Sequence, residues 1–146
     1  MGLIQKLTDN VVFFDTAPLI YYIEENRNYI KLLDKLFEAN NNGKFLFQTS
    51  VITLIEVLIY PMRENQMQLA QKYQDILRHT STIDLLDVNT DAAISAAKYR
   101  AAYGLRTPDA IQMATAVDSG ANFFLTNDLK LKKVTEIEVL VLEDMK

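Results

Sequence analysis

The 146-residue chain contains no cysteine. That excludes disulfides, thiolate nucleophiles and cysteine-ligated zinc, and it leaves the cytosol as the default compartment. There is one histidine, His79, so a histidine-rich metal centre is excluded as well. Any catalysis must rest on carboxylates, hydroxyls, amides or lysine. No apolar run approaches the ~20 residues that span a bilayer. The opening MGLIQKLTD lacks an apolar signal core, and Lys6 stands where a myristoylation motif wants Ser or Thr. A cytoplasmic protein with no membrane partner is expected. A basic surplus is missing too: the formal net charge is −4, whereas nucleic-acid binders usually carry an excess of cations. This does not exclude such a role, because carboxylates gathered at one site and neutralised by divalent cations would leave the remaining surface near balance.

What is present is an ordinary globular mixture, 49% hydrophobic and 23% charged, long enough for a single domain over 1–146 that buries its own core. Short apolar runs alternate with helical patterns. Val11 to Asp15 reads as a strand, and Thr16-Ala-Pro18 opens a helix. Ile30, Leu33, Leu36 and Phe37 have helical spacing, which stops at Asn40 to Gly43. A second strand is predicted over 44–49, then a helix in SVITLIEVLIYP closed by Pro61, and a longer helix from Glu64 to Arg78 with His79 at its C-terminal end. TIDLLDV suggests a third strand, TDAAISAAKYRAAYG a small-residue helix ending at Gly104, and RTPDAIQMATAVDSG another helix; NFFLT and IEVLVLE complete the strands. The alternation predicts a three-layer α/β/α sandwich with a mainly parallel sheet of four or five strands. Ligands of such sheets bind beyond the carboxyl ends of the strands, near the point where strand order reverses. Asp15 and Asp128 are both expected there.

Four acids stand out, each with a structural alternative. Asp15 and Asp128 follow strands and can cap what comes next, a role that contributes ~1 kcal/mol. In RTPDAIQ, Thr107 reads as an N-cap and Pro108 as the first helical residue, so Asp109 suits the positive end of a helix dipole. Glu56 differs, because its helix is apolar almost all round and reads as buried. Thr49, Thr53, Glu56 and Tyr60 form its one polar stripe, and a carboxylate there needs an arginine, a lysine or a metal ion as partner. Together, four carboxylates at one sheet edge repel one another, and oxygen-rich clusters of this kind are where Mg²⁺ or Mn²⁺ bind.

Taken in order, the segments VVFFDTAPLI, SVITLIEVLIYP, LRTPDAIQMATAV and FFLTNDLKL resemble the acidic motifs of PIN-domain nucleases, most closely the single-domain ribonucleases of the VapC type. The resemblance covers nearly the whole chain. It implies a Mg²⁺- or Mn²⁺-dependent endoribonuclease in which Asp15, Glu56 and Asp109 hold one ion. Asp128 would hold a second ion or orient the attacking water, and Thr16 and Thr126 would hydrogen-bond the carboxylates. It also implies an RNA substrate, an antitoxin protein as partner and a homodimer. Arg106 and the lysines Lys130, Lys132 and Lys133 are candidates for phosphate contact, the lysines reading equally well as a solvated helix end. Two alternatives stand beside this reading. One is a PIN-like module that binds RNA or protein without cutting. The other is a Mg²⁺-dependent α/β phosphohydrolase with Asp15 as covalent nucleophile, for which Ala17 occupies the place where a second aspartate is wanted.

Water as nucleophile leaves a 5′-phosphate and a 3′-hydroxyl. Mass spectrometry of cleaved RNA is expected to show these ends; a 2′,3′-cyclic phosphate would mean that the 2′-hydroxyl attacks instead.

Overall fold

The computed structural model describes residues 2–146. Five strands, β1 (Val11–Phe14), β2 (Leu46–Ser50), β3 (Ile83–Leu86), β4 (Phe123–Thr126) and β5 (Glu138–Val141), form one parallel sheet in the order β3-β2-β1-β4-β5. Helices α1 (Leu3–Leu7), α2 (Thr16–Ile23), α3 (Ile30–Asn41), α4 (Val51–Arg63), α5 (Met67–His79), α6 (Thr90–Tyr103), α7 (Thr107–Asp118) and α8 (Leu142–Met145) complete the fold, with a 3₁₀ turn over Leu129–Lys133. The expected three-layer sandwich is what forms, and its sheet is parallel throughout.

The two-residue repeat of a strand divides the core. Val12 and Phe14 of β1 and Leu125 of β4 point into a cluster with Leu19, Leu33, Leu36, Tyr73 and Leu77. Phe13 and Phe124 point the other way and stack at 5.5 Å against the layer of α6 and α7. That second layer is built from small side chains, Ala96, Ala110 and Ala114, all buried, which lets its helices approach closely. Gly104 ends α6 with φ 67°, a left-handed conformation in which glycine carries no steric penalty.

Several boundaries differ from the sequence expectation. Pro61 does not close α4, which runs on to Arg63 with the proline inside its last turn. The ring is buried there, and the proline forgoes the one bond that its N–H would make to the Val57 carbonyl. Nor is α4 buried all round: Ile55, Ile59 and Met62 are 55%, 51% and 50% exposed. Apolar composition alone cannot distinguish a helix sunk in the core from one with a bare apolar face. The polar stripe shortens accordingly, since Thr49 lies on β2 and Tyr60 is half-exposed. Helix α5 begins at Met67 rather than Glu64, because Asn65 takes a left-handed φ of 54° between the two helices. Helix α7 starts at Thr107, with Arg106 as its N-cap and no side-chain cap bond. The run IEVLVLE is strand only to Val141 and then turns into α8.

Phe47 is fully buried and packs against Phe14, Phe37 and Phe45 at 5.2, 4.8 and 5.0 Å. Phe47→Ala is expected to cost about 3–5 kcal/mol in urea unfolding, whereas Ile55→Ala on the bare face of α4 should change stability by less than about 1 kcal/mol.

Candidate active site

The strand order reverses beside β1. The chain builds outward from β1 through β2 to β3, then returns to place β4 on the other side of β1. Beyond the carboxyl ends of β1 and β4 lies a cleft of about 410 Å³, in the position where open α/β sheets hold ligands. Phe14 stands opposite Leu125 in the sheet, so the residues that follow, Asp15 and Thr126, leave adjacent strand ends into the same space.

Asp15 is the N-cap of α2. Its Oδ1 accepts from the Thr16 amide at 2.8 Å, and its Oδ2 accepts from the Thr126 hydroxyl at 3.0 Å. The same Thr126 oxygen accepts from the Asp128 amide at 3.1 Å, while Asp128 Oδ1 accepts from the Lys130 amide at 3.0 Å and so caps the 3₁₀ turn. Glu56 reaches the cleft from α4, where its Oε1 accepts from the Thr16 hydroxyl at 2.6 Å. Asp109, in the first turn of α7, pairs with Arg106 Nε at 3.1 Å. All four acids, both threonines and Arg106 line the one cleft. Among the described residues no group of three or more acidic or histidine side chains is arranged to hold a metal ion by itself.

Capping and a place in the cleft are compatible, because each cap uses one oxygen and leaves the carboxylate with further acceptor sites. Burial pushes Asp15 up from 3.8 to about 6. The Thr16 amide and the Thr126 hydroxyl pull it back, and the charges of Asp109 and Glu56 raise it further. The cleft is thus a place of uncompensated negative potential, with Arg106 as its one lining cation among the described residues. Burial of the guanidinium is slight, and its partner Asp109 holds its pKa above the ordinary arginine value.

Of the lysines after Asp128, Lys130 donates its amide to the Asp128 carboxylate and Lys132 is paired with Asp144 at 2.5 Å; neither side chain is among those lining the cleft. Sequence reasoning also passed over Gln112, which is 1% exposed, donates to Thr53 at 2.7 Å and accepts from the Ser50 hydroxyl. It ties α7 to α4 one turn below Asp109 and Glu56. Its i+3 spacing from Asp109, on the same helix face, was the available signal. Thr53 lies 2.8 Å from the Thr49 hydroxyl, which donates to the Phe14 carbonyl, so a buried polar chain runs under the cleft from α7 to β1. Tyr21 and Asn127 also line the cleft.

Residues 12–137 match the family model described as the PIN domain. The chain belongs to the PIN-domain family. All four acids fall within the matched span. Among solved structures, this PIN domain is similar to a VapBC complex from Rickettsia felis bound to a promoter DNA fragment. There the identity is 15%, the TM-score 0.72, and the match covers 90% of this chain and 98% of that one. A toxin–antitoxin complex from Klebsiella pneumoniae is 23% identical with a TM-score of 0.67, covering 90% and 97% of the two chains. A sarcin–ricin-loop-cleaving VapC toxin from Mycobacterium tuberculosis is 16% identical with a TM-score of 0.63, covering 77% and 86%. At these identities the likeness establishes a shared fold. No curated protein matches the sequence. No helix of the described residues is long and apolar enough to cross a membrane.

The raised pKa of Asp15 has a sign that can be tested. The folded state holds the Asp15 proton more tightly than the unfolded chain, so Asp15 lowers stability as pH rises from about 4 through about 6. In metal-free buffer Asp15→Asn should therefore unfold at a higher temperature than wild type at pH 7. The gap should close towards pH 4, as followed by calorimetry.

Proposed function

We propose that this PIN domain is a metal-dependent endoribonuclease that hydrolyses phosphodiester bonds of RNA, acting in the cytoplasm as the toxin of a toxin–antitoxin pair. The observation that carries this reading is the convergence of Asp15, Glu56, Asp109 and Asp128 on one cleft at the reversal point of the sheet. Capping accounts for Asp15 and Asp128 and an ion pair for Asp109, but neither accounts for Glu56, which reaches the same cleft from the middle of α4.

The donor set fits a hard divalent cation, since it is made of oxygens alone and contains a carboxylate that burial and neighbouring charges push up to about 6. Mg²⁺ keeps several of its waters and takes one or two carboxylates from protein, so three acids in mutual contact are not required. Asp15, Glu56 and Asp109 are the residues that would hold it, with Asp128 completing a second position. When bound, the ion lowers the pKa of water from 15.7 towards ~7 and offsets charge on the phosphoryl oxygens. The protein's own contribution is orientation. Thr16 fixes the Glu56 carboxylate, Thr126 fixes Asp15, and the Asp128 carboxylate is held by the Lys130 amide. Arg106, exposed and already at the cleft, is positioned to exchange its Asp109 contact for an RNA phosphate.

Structural neighbours that are toxin–antitoxin complexes favour an antitoxin as partner. The bare apolar row of Ile55, Ile59 and Met62 on α4 is surface that an antitoxin or a second copy in a homodimer would cover.

End-labelled single-stranded RNA should be cut in Mn²⁺ or Mg²⁺ and left intact in EDTA. Asp15→Asn and Glu56→Gln should each slow cleavage by at least ~100-fold. If the wild-type protein neither cuts RNA nor binds Mn²⁺ by calorimetry, the acids are two caps, an ion pair and a half-buried hydrogen-bonded carboxylate, and the nuclease reading falls.

A further inference from the structure

Between Thr126 and Asp128 stands Asn127, and its side chain has partners that neither of theirs shares. Its Nδ2 donates to the Tyr29 hydroxyl at 3.1 Å, and its Oδ1 accepts from the Glu143 amide at 3.0 Å. The Tyr29 hydroxyl in turn donates to the Glu143 carboxylate, which also pairs with Lys146 at 3.1 Å. The ammonium of Lys146 lies 5.4 Å from the centre of the Tyr29 ring. Three separate parts of the chain, the loop after α2, the turn after β4 and the last helix α8, therefore meet at one asparagine.

We infer that Asn127 is a positioning residue for the candidate active site, and that α8 acts through it to hold the Asp128 turn against β1. The inference rests on the nuclease reading for its consequence in RNA cleavage, but its geometry stands by itself. Asp128 has three bonds: its carboxylate accepts from the Lys130 amide, its carbonyl accepts from the Leu131 amide, and its own amide donates to the Thr126 hydroxyl. The first two lie within the turn itself, so of these three only the bond to Thr126 ties the turn back to β4. Asn127 adds two bonds to the same peptide segment, so the turn is tied to β1 through Thr126 and to Tyr29 and α8 through Asn127. Tyr29 carries the effect further, because its ring is buried and stacks on Tyr21 at 5.0 Å, and Tyr21 also lines the cleft. One clamp thus fixes two parts of the cleft wall. Asparagine suits the task because it alone of the short side chains offers a donor and an acceptor on one planar group.

The test compares wild type, Asn127→Ala, Tyr29→Phe and the double variant by amide hydrogen exchange, by Mn²⁺ calorimetry and by steady-state cleavage of single-stranded RNA. In Asn127→Ala the Asp128 and Lys130 amides should exchange at least ~10-fold faster while the amides of β4 keep their protection. Mn²⁺ affinity and kcat should fall ~10–100-fold, as for loss of a group supporting a metal ligand, with KM within about twofold. Tyr29→Phe should have a smaller effect, and the double variant should be no worse than Asn127→Ala, since both act through one linkage. Unchanged exchange at Asp128 and Lys130 in Asn127→Ala, or a lower unfolding temperature with wild-type Mn²⁺ affinity and kcat, would reduce Asn127 to a fastening of α8 and overturn the inference. Exchange needs no substrate. A wild-type protein that cuts no RNA would remove the nuclease reading and leave the clamp to be decided by the exchange rates.

Discussion

One hydroxyl joins the ends of β1 and β4 at the cleft. Thr126 donates to Asp15 at the end of β1 and accepts from the backbone of Asp128, using the proton and a lone pair that a threonine can engage at once. The bond can form only because β1 and β4 are neighbours in the parallel sheet with Phe14 opposite Leu125. A slip of one residue would turn Thr126 to the other face. The start of α2, the 3₁₀ turn and the floor of the cleft all inherit their positions from that contact. Thr126 is fully buried, so its hydroxyl would be left without a partner if these bonds broke, whereas Asp15 and Asp128 line the open cleft.

The cleft is also where the domain accepts unfavourable electrostatics. Burial and two neighbouring carboxylates work against the ionisation of Asp15, and the fold answers with two donors rather than with a cation. Asp109 alone among the four acids has a cationic partner. Glu56 and Asp128 are held by a hydroxyl and an amide, respectively. Neutral donors orient a carboxylate without cancelling its charge, which is what a cation-binding surface requires and what a structural ion pair would defeat.

Much of this was legible in the chain. Strand runs such as VVFF and NFFLT end at acids, and the alternation of strands with helices sufficed for the layers and for which strand ends face one way. Asp15 and Asp128 come to the cleft from strand ends, Glu56 from the helix that follows β2, and Asp109 from the start of α7, which leads into β4. The remainder depends on contacts distant in sequence. Gln112 reads as an ordinary helix residue until α4 is laid against α7. Asn127 passes for turn chemistry until α8 is seen to run beneath it. Charge near an acid in sequence says nothing of direction, so the pairing of Lys132 with Asp144 was not legible in the chain. The exposure of α4 escaped for a similar reason: a helix rich in Ile, Leu and Val has no sequence mark for the face that its own domain leaves uncovered.

The lining of the cleft sets an order of events. Among the described residues, four carboxylates and one guanidinium line the cleft, so its mouth is negative, with a reach of about 8–10 Å at moderate salt. On the nuclease reading, an RNA strand approaching the cation-free protein is turned away by the very groups that would process it. Divalent ions must enter first and reverse the sign of the potential before the strand can settle. The protein would then be gated by its ionic surroundings rather than by a moving part, and its encounter rate with RNA would rise with the occupancy of the acids.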